Sequence, residues 1–334
     1  MHFIRSNAIE IKEYNPYKKV EQIGRICYKS EDKITEDSWK TFVGNLINRK
    51  HFAMLEHARL FFLIHIKDED ECAEVRGIDL MNDLNKLTAV YTDISGHPRN
   101  AHVGVSVSLS HLYNDRWRTF PYAAPMSILD AFRIIVEEYF EFDFKDSTFS
   151  KRRVVDNLND LYDLELDDIE FRVDWESSDT ATWSYPDCEY VTVKFDCDRG
   201  VSHELVRHRC AIAQSSTRYC NYSKEKFGNG DIAFVYPHEY DSWDKDVKLL
   251  FERNLKECED TYNYMIGENM SPQQARAILP NALATEVVLT MNLAHWKHFV
   301  DLRYKGTTGA PHPDMKDVAL IAYHDILHSY LFKI

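Results

Sequence analysis

Residues 207 to 224 read Arg207-His-Arg-Cys-Ala-Ile-Ala-Gln-Ser-Ser-Thr-Arg-Tyr-Cys-Asn-Tyr-Ser-Lys224. Arg207, Arg209 and Arg218 crowd into this stretch, with Ser215, Ser216, Thr217 and their backbone amides between them. Guanidinium forks match phosphate oxygens two at a time, and small hydroxyl residues let the backbone approach an anion closely. The stretch therefore reads as a site for an anion or a nucleotide phosphate. The competing reading is a basic run that is only solvated surface.

Outward from this stretch, the periodicity predicts alternating helices and strands, an α/β (α+β) fold with a mixed sheet flanked by helices. Trp39, Phe42, Val43, Leu46 and Ile47 recur at helical spacing over residues 36 to 49, after Thr35 as N-cap. Residues 58 to 66 and 190 to 197 alternate as strands. Val201 to Arg209 predicts a helix that delivers the arginines at its C-terminal end. Residues 246 to 266 place Val247, Leu250, Cys258, Tyr262 and Met265 on one helical stripe, stopped by Gly267. Ser271-Pro-Gln-Gln274 is a capping box with Pro at the first helical position, opening a short helix that carries Arg276. Val287 to Met291 reads as a strand, and Asn292 as the N-cap of a helix running to about Arg303. Asn292 and Arg303 then lie roughly 16 Å apart along one helix axis.

Composition bounds the function. The net charge of −14 argues against general nucleic-acid binding, which gains from a positive field. The arginines gathered in one segment suit a small anionic ligand instead. Apolar runs are too short to span a bilayer, and the polar N-terminus lacks a signal-peptide core. Seven cysteines, an odd count without a CxxC pair, predict a reducing, cytoplasmic setting. Among 15 histidines no His-Glu-x-x-His or paired Cys/His spacing occurs, so no metal site is expected. Ser216 lacks a Gly-x-Ser-x-Gly elbow, which speaks against a serine hydrolase.

Arg207-His-Arg209, a short spacer and Ser216-Thr-Arg-Tyr219 resemble the signature motif of the flavin-dependent thymidylate synthases. The flanks, Asp198 to Val206 and Tyr219 to Ser223, are similar to a longer branch of that family, often viral or phage. Six residues separate Arg209 from Ser216 where the family has seven, which predicts a loop one residue shorter. His51-Phe-Ala-Met-Leu-Glu-His57 resembles a second family segment, with Lys50 in place of its Gly and Ala53 in place of its hydroxyl. Ala275-Arg-Ala-Ile-Leu-Pro280, Met291-Asn292 and Asp301-Leu-Arg303 follow in family order, and His312 is similar to a late family histidine. The resemblance spans roughly residues 15 to 66 and 190 to 330.

The resemblance implies reductive methylation of dUMP to dTMP. FAD would carry hydride from NADPH, and methylenetetrahydrofolate would supply the carbon. It implies Arg303 as the catalytic residue, a cation against the uracil. It assigns dUMP to Glu204, Arg207, Ser215, Ser216, Thr217, Arg218, Arg276 and Arg303, with Glu204 on the phosphate side where Gln is usual. It assigns FAD to His51, Ala53, Glu56, Arg207, His208, Arg209, Gln214, Asn292, His298 and His312. It also implies a homotetramer with sites shared between subunits. Residues 67 to 189 read as an insertion into one domain spanning residues 1 to 334. They interrupt two strands expected to be neighbours and mix acidic turns (Asp68 to Glu71, Asp156 to Glu170) with a helical segment, Ile128 to Tyr139. Thr92 to Arg99 resembles a polar segment of longer relatives. Two alternatives stand beside this reading. One is a related flavin–folate hydroxymethylation of a pyrimidine nucleotide. The other is a nucleic-acid module stacking bases on Tyr219 and Tyr222.

Overall fold

The computed structural model describes residues 1–65, 80, 94–97, 102–113, 123–141, 151–162, 164–172, 189–218, 220–224 and 228–332. Ile66, Asp68 to Glu71, Tyr219, and Thr92, Asp93, Pro98 and Arg99 of the polar segment lie outside the described residues. The strands are β1 (His2–Ile4), β2 (Asn7–Glu10), β3 (Arg59–His65), β4 (Ile94–His97), β5 (His102–Ser108), β6 (Ile169–Arg172), β7 (Tyr190–Asp198), β8 (Ala211–Gln214), β9 (Ala233–Val235) and β10 (Ala284–Asn292). The α-helices are α1 (Pro16–Tyr28), α2 (Ser38–Asn48), α3 (Leu109–Tyr113), α4 (Ala123–Tyr139), α5 (Lys151–Tyr162), α6 (Arg199–Leu205), α7 (Lys245–Gly267), α8 (Pro272–Ala275), α9 (Leu293–Arg303), α10 (Pro313–Ala322) and α11 (His328–Leu331). This is the helix-and-sheet class that the periodicity predicts.

The chain forms two compact units. Met1–Lys12, Gln22–Ile34 and Val191–Ile334 make up the first, and Glu13–Glu21 with Thr35–Tyr190 the second. In the first, a four-stranded sheet runs β2-β7-β10-β8, and a two-stranded parallel sheet joins β1 to β9. Helices α6, α9 and α10 close a core with that larger sheet around Phe195, Leu289, Trp296 and Phe299. Trp296 Nε1 donates to Val191 O at 3.0 Å, which satisfies its one polar atom in an apolar setting. A second cluster packs Phe234, Leu255 and Tyr262 under α7 and α8.

Helix α7 corrects the expected stripe. Leu255, Glu259 and Tyr262 are its buried residues, while Val247 and Leu250 are about half exposed. The apolar pattern missed a buried carboxylate: Glu259 takes bonds from the N-terminal ammonium, Lys256 and Ile232 N, so its charge is compensated.

The second unit is built on the sheet β4-β5-β3-β6. Leu60, Phe62 and Ile64 of β3 are buried, as their alternation predicts, and Phe62 stacks on Phe132 of α4 at 3.9 Å. The expectation that β3 and β7 are sheet neighbours is overturned. β5 and β6, both from the 67–189 segment, pair with β3, while β7 sits between β2 and β10. The acidic stretch from Asp156 is helix, not turn, as far as Tyr162. Val154, Leu158 and Tyr162 recur four apart and are buried under the acidic face of α5.

Helix α2 starts at Ser38 rather than near Thr35, with Asp37 as its N-cap residue. Ser38 Oγ bridges Thr35 and Glu21, which fixes the preceding turn outside the helix. Helices α1 and α2 end alike. Ser30 N reaches Arg25 O and Lys29 N reaches Ile26 O; His51 N reaches Leu46 O and Lys50 N reaches Ile47 O. These paired bonds are Schellman closures, and they need a left-handed residue at the turn. Lys29 (φ 49°) and Lys50 (φ 55°) occupy it, so both lysines hold a conformation that glycine favours.

Candidate active site

In the first unit the Arg207 motif sits on a turn between α6 and β8. Asp198 closes β7 and caps α6, its Oδ1 accepting from Val201 N at 2.9 Å. The helix stops at Leu205, not at Arg209 as expected. Arg207 N to Glu204 O and His208 N to Leu205 O are tight three-residue bonds that turn the chain out of the helix. Nor is the following segment a loop: Ala211–Gln214 is strand β8, paired antiparallel with Thr290–Val287 of β10. Ala211 and Ala213 are buried, but a four-residue strand that buries alanines and leaves Ile212 only partly buried shows no alternation to read.

Past β8 the chain is tied down residue by residue. Gln214 Nε2 donates to Ser202 Oγ at 2.9 Å and Thr285 Oγ1 at 3.4 Å. Ser215 N donates to Glu286 O at 2.9 Å, and Ser215 Oγ lies 3.0 Å from Thr285 Oγ1 while accepting from Glu286 N at 3.1 Å. Ser216 N donates to Cys27 O at 3.2 Å. The amides of Ser215 and Ser216 are thus engaged within the protein. What the turn presents is side chains: Ser216 Oγ accepts from Arg218 N, Thr217 Oγ1 accepts from Arg276 Nη1 at 3.1 Å, and Arg218 Nε donates to Gln273 Oε1 at 3.3 Å. Residues 216–218 and 273–276 therefore meet, with Arg218 and Arg276 exposed and Thr217 buried.

Arg303, the last residue of α9, forms a second cluster with Glu204 and His208. Its Nη1 donates to Glu204 Oε2 at 2.5 Å, its Nη2 to Glu204 O at 3.3 Å and its Nε to His208 Nε2 at 3.2 Å. All three guanidinium nitrogens have a partner, so the plane is fixed. Burial first, then the nearby Arg303, His298 and His295, push the His208 imidazole down to about 4. The ring is neutral near pH 7, and acceptance at Nε2 assigns its proton to Nδ1. Its ring lies 5.1 Å from Phe299. The carboxylate of Glu204, expected beside the phosphate, is engaged by Arg303. A cation at this distance neutralises the charge that would have repelled an anion.

Asn292 is the N-cap of α9, as its position predicts. Its buried Oδ1 accepts from His295 N at 2.9 Å and lies 2.6 Å from His295 Nδ1. Arg207 and Arg209 flank His208 and are exposed, and among the described residues no side-chain hydrogen bond or ion pair involves either guanidinium. Two such cations beside a neutral ring form a donor set that fits an anionic group such as the pyrophosphate of a dinucleotide cofactor. His298 is exposed, and so is His312, which lies 3.4 Å from Asp314. His51, Ala53 and Glu56 belong to the second unit, on and just before a short 3₁₀ turn, Phe52–His57. Burial raises the Glu56 carboxyl above its ordinary range, and Ala53 offers only a methyl.

Sequence reasoning missed Cys27, Gln273, Thr285 and Glu286, which hold the turn. Three of them act partly or wholly through backbone atoms or a neutral hydroxyl, which carry no motif. Gln273 was visible only as part of the capping box, which the neighbouring Gln274 closes: Gln274 Oε1 accepts from Ser271 N at 3.2 Å and Ser271 Oγ at 2.9 Å.

Residues 179–324 match the family model described as thymidylate synthase complementing protein. The chain is similar to the flavin-dependent thymidylate synthase of Geobacter sulfurreducens, 34% identical over 106 residues, which cover 31% of this chain and 43% of that protein. The protein of the same name from Pyrococcus furiosus is 34% identical over 119 residues (34% and 47% of the two chains). That from Thermococcus onnurineus is 37% identical over 112 residues (32% and 42%). The chain thus spans less than half the length of these relatives. The matched residues, 179–324, include both arginine clusters, so the similarity to the thymidylate synthase complementing protein family falls on the site.

Proposed function

We propose that the protein catalyses reductive methylation of dUMP to dTMP, with methylenetetrahydrofolate as carbon donor, NADPH as reductant and FAD as its flavin. The observation that carries this reading is the meeting of Arg218 and Arg276 on the Ser216–Arg218 turn, built from segments far apart in sequence. Two guanidiniums with Ser216 and Thr217 hydroxyls suit a phosphate monoester. Bound FAD supplies the hydride chemistry, and Arg207, His208, Arg209 and Asn292 are the first-unit residues that would hold it. Gln214, His298, His312, His51, Ala53 and Glu56 join that set by resemblance alone.

In this reading Arg303 lies against the pyrimidine. A cation held in place before the reaction stabilises negative charge as it develops on the ring, which raises the nucleophilicity of C5 without moving a proton. His208 serves as a neutral acceptor that fixes the Arg303 plane. A protonated imidazole there would have no lone pair for Nε and would repel the guanidinium. Glu204 holds the opposite edge. Arg207 and Ser215 complete the dUMP set by resemblance.

We further take the protein to be a cytoplasmic homotetramer with shared sites, and residues 67–189 to be an insertion into one domain. Strands β5 and β6 of that segment pair with β3, which precedes it in the chain, and this supports reading the segment as an insertion. Among the described residues no helix is long and apolar enough to cross a membrane.

The test is incubation of the protein, with added FAD, with dUMP, methylenetetrahydrofolate and NADPH, followed by product mass and a visible spectrum. A methylated nucleotide and a flavin spectrum on the protein are expected. A hydroxymethylated product would move the assignment to the related flavin–folate activity, and no flavin uptake would overturn it.

A further inference from the structure

We propose that Gln273 is a positioning residue for the nucleotide phosphate, acting through Arg218. This rests on the reading of residues 216–218 and 276 as the phosphate site.

The geometry starts with the cap. Ser271 and Gln274 close a capping box, and Pro272 occupies the first helical position of α8. The two adjacent glutamines therefore have different tasks. Gln274 turns back to Ser271 N and Oγ, and Gln273 is directed at Arg218 Nε. Gln273 and Arg276 are three residues apart and share a side of the turn. That side meets residues 217 and 218, where Arg276 Nη1 reaches Thr217 Oγ1. Ala275 between them is fully buried and anchors the segment to the core under α7.

The chemistry of the partner matters as much as its place. An amide oxygen orients the guanidinium through Nε and adds no charge beside the phosphate. A carboxylate at 273 would bind Arg218 more strongly and cancel the charge the phosphate needs. Arginine loses much side-chain freedom when it is held in one direction, so a partner that holds it beforehand lowers the cost of binding. Gln273 needs no contact with the nucleotide for this effect.

The test measures dUMP and deoxyuridine affinity by titration calorimetry for wild type, Gln273→Ala, Gln273→Glu, Arg218→Ala and the Gln273→Ala/Arg218→Ala double variant. Wild-type binding of dUMP comes first. Its absence overturns the phosphate-site reading itself. With wild type binding, Gln273→Ala should weaken dUMP about three- to tenfold and leave deoxyuridine unchanged, the range of a single oriented hydrogen bond. Gln273→Glu should be weaker still than Gln273→Ala. In the Arg218→Ala background, Gln273→Ala should add nothing, because its only route to the ligand is gone. Unchanged dUMP affinity in Gln273→Ala overturns the inference. So do equal losses for dUMP and deoxyuridine, an additive double variant, or full recovery by Gln273→Glu.

Discussion

Arg303 and the Arg218–Arg276 pair are cations of one unit placed in opposite surroundings. The Arg303 side chain is 19% exposed, its charge is matched by Glu204, and a neutral His208 ring takes its third bond. Arg218 and Arg276 are exposed, and the partners described for them, Gln273 and Thr217, are neutral. In the proposed reaction a ligand phosphate would arrive already charged and would meet these exposed cations directly. A pyrimidine ring arrives neutral and acquires charge only during reaction, so the cation meeting it has to be oriented beforehand more than attractive. In the proposed reaction the first arrangement would serve affinity and the second rate.

The sharpest way to break this contrast is Arg303→Ala. Loss of a preorganised donor at a developing charge costs about a hundred- to a thousandfold in turnover. Initial rates of dTMP formation should fall by that much, while dUMP affinity and flavin content change far less. Flavin lost in step with activity would show that Arg303 holds the cofactor and not the pyrimidine.

At the other cluster the effect should appear in binding. Arg218→Ala or Arg276→Ala removes a charge-assisted contact of about 1.5 to 3 kcal/mol, which is roughly a ten- to a hundredfold loss of dUMP affinity. Deoxyuridine, without the phosphate, should bind wild type and variants alike. Ser216→Ala should weaken dUMP binding and keep some turnover, because in the proposed site the hydroxyl lines the ligand and forms no covalent bond to it. A covalent nucleotide adduct on Ser216, or equal losses for nucleotide and nucleoside, would remove the basis for calling this cluster a phosphate clamp.

Residue patterns foretold the ends of this site better than its middle. The capping box at Ser271 and the Asn292 cap were legible because a cap is local chemistry: one side chain bonds an amide two or three residues on. The alternation of β3 and β7 was legible because each has one face in a core. Strand β8 was not, since its partner β10 lies more than seventy residues away and its buried residues are alanines. The environment of Glu204 was illegible for a related reason: only tertiary structure brings Arg303 to its carboxylate. The second-unit positions His51, Ala53 and Glu56 rest on motif resemblance, which names residues without giving their geometry.

A smaller effect distinguishes the two tasks of Glu204. Glu204→Gln keeps an acceptor for Arg303 Nη1 and the backbone oxygen that takes Nη2, but removes the charge. If the carboxylate only orients Arg303, steady-state turnover should stay within about tenfold of wild type, the difference between a charge-assisted and a neutral hydrogen bond. A loss as deep as that of Arg303→Ala would mean the carboxylate enters the chemistry itself, and the division between an orienting and an attracting cluster would fail.

The smallest effect is a pH dependence of stability at His208. An imidazole in the unfolded chain titrates near about 6.5, and in the fold burial with its cationic neighbours holds this one at about 4. Between those values the unfolded chain binds more protons than the folded one, so stability rises with pH across the window. The contribution is complete above about pH 6.5 and is lost as pH falls toward 4. His208→Gln supplies an amide oxygen for Arg303 Nε and cannot titrate. Melting temperatures of wild type and variant, measured from pH 7 to 5, should therefore diverge in slope, with wild type losing about one to a few degrees more on acidification. Parallel curves would show that His208 is not held neutral. Arg303 would then lack the acceptor on which its orientation depends, and the two clusters would differ only in exposure.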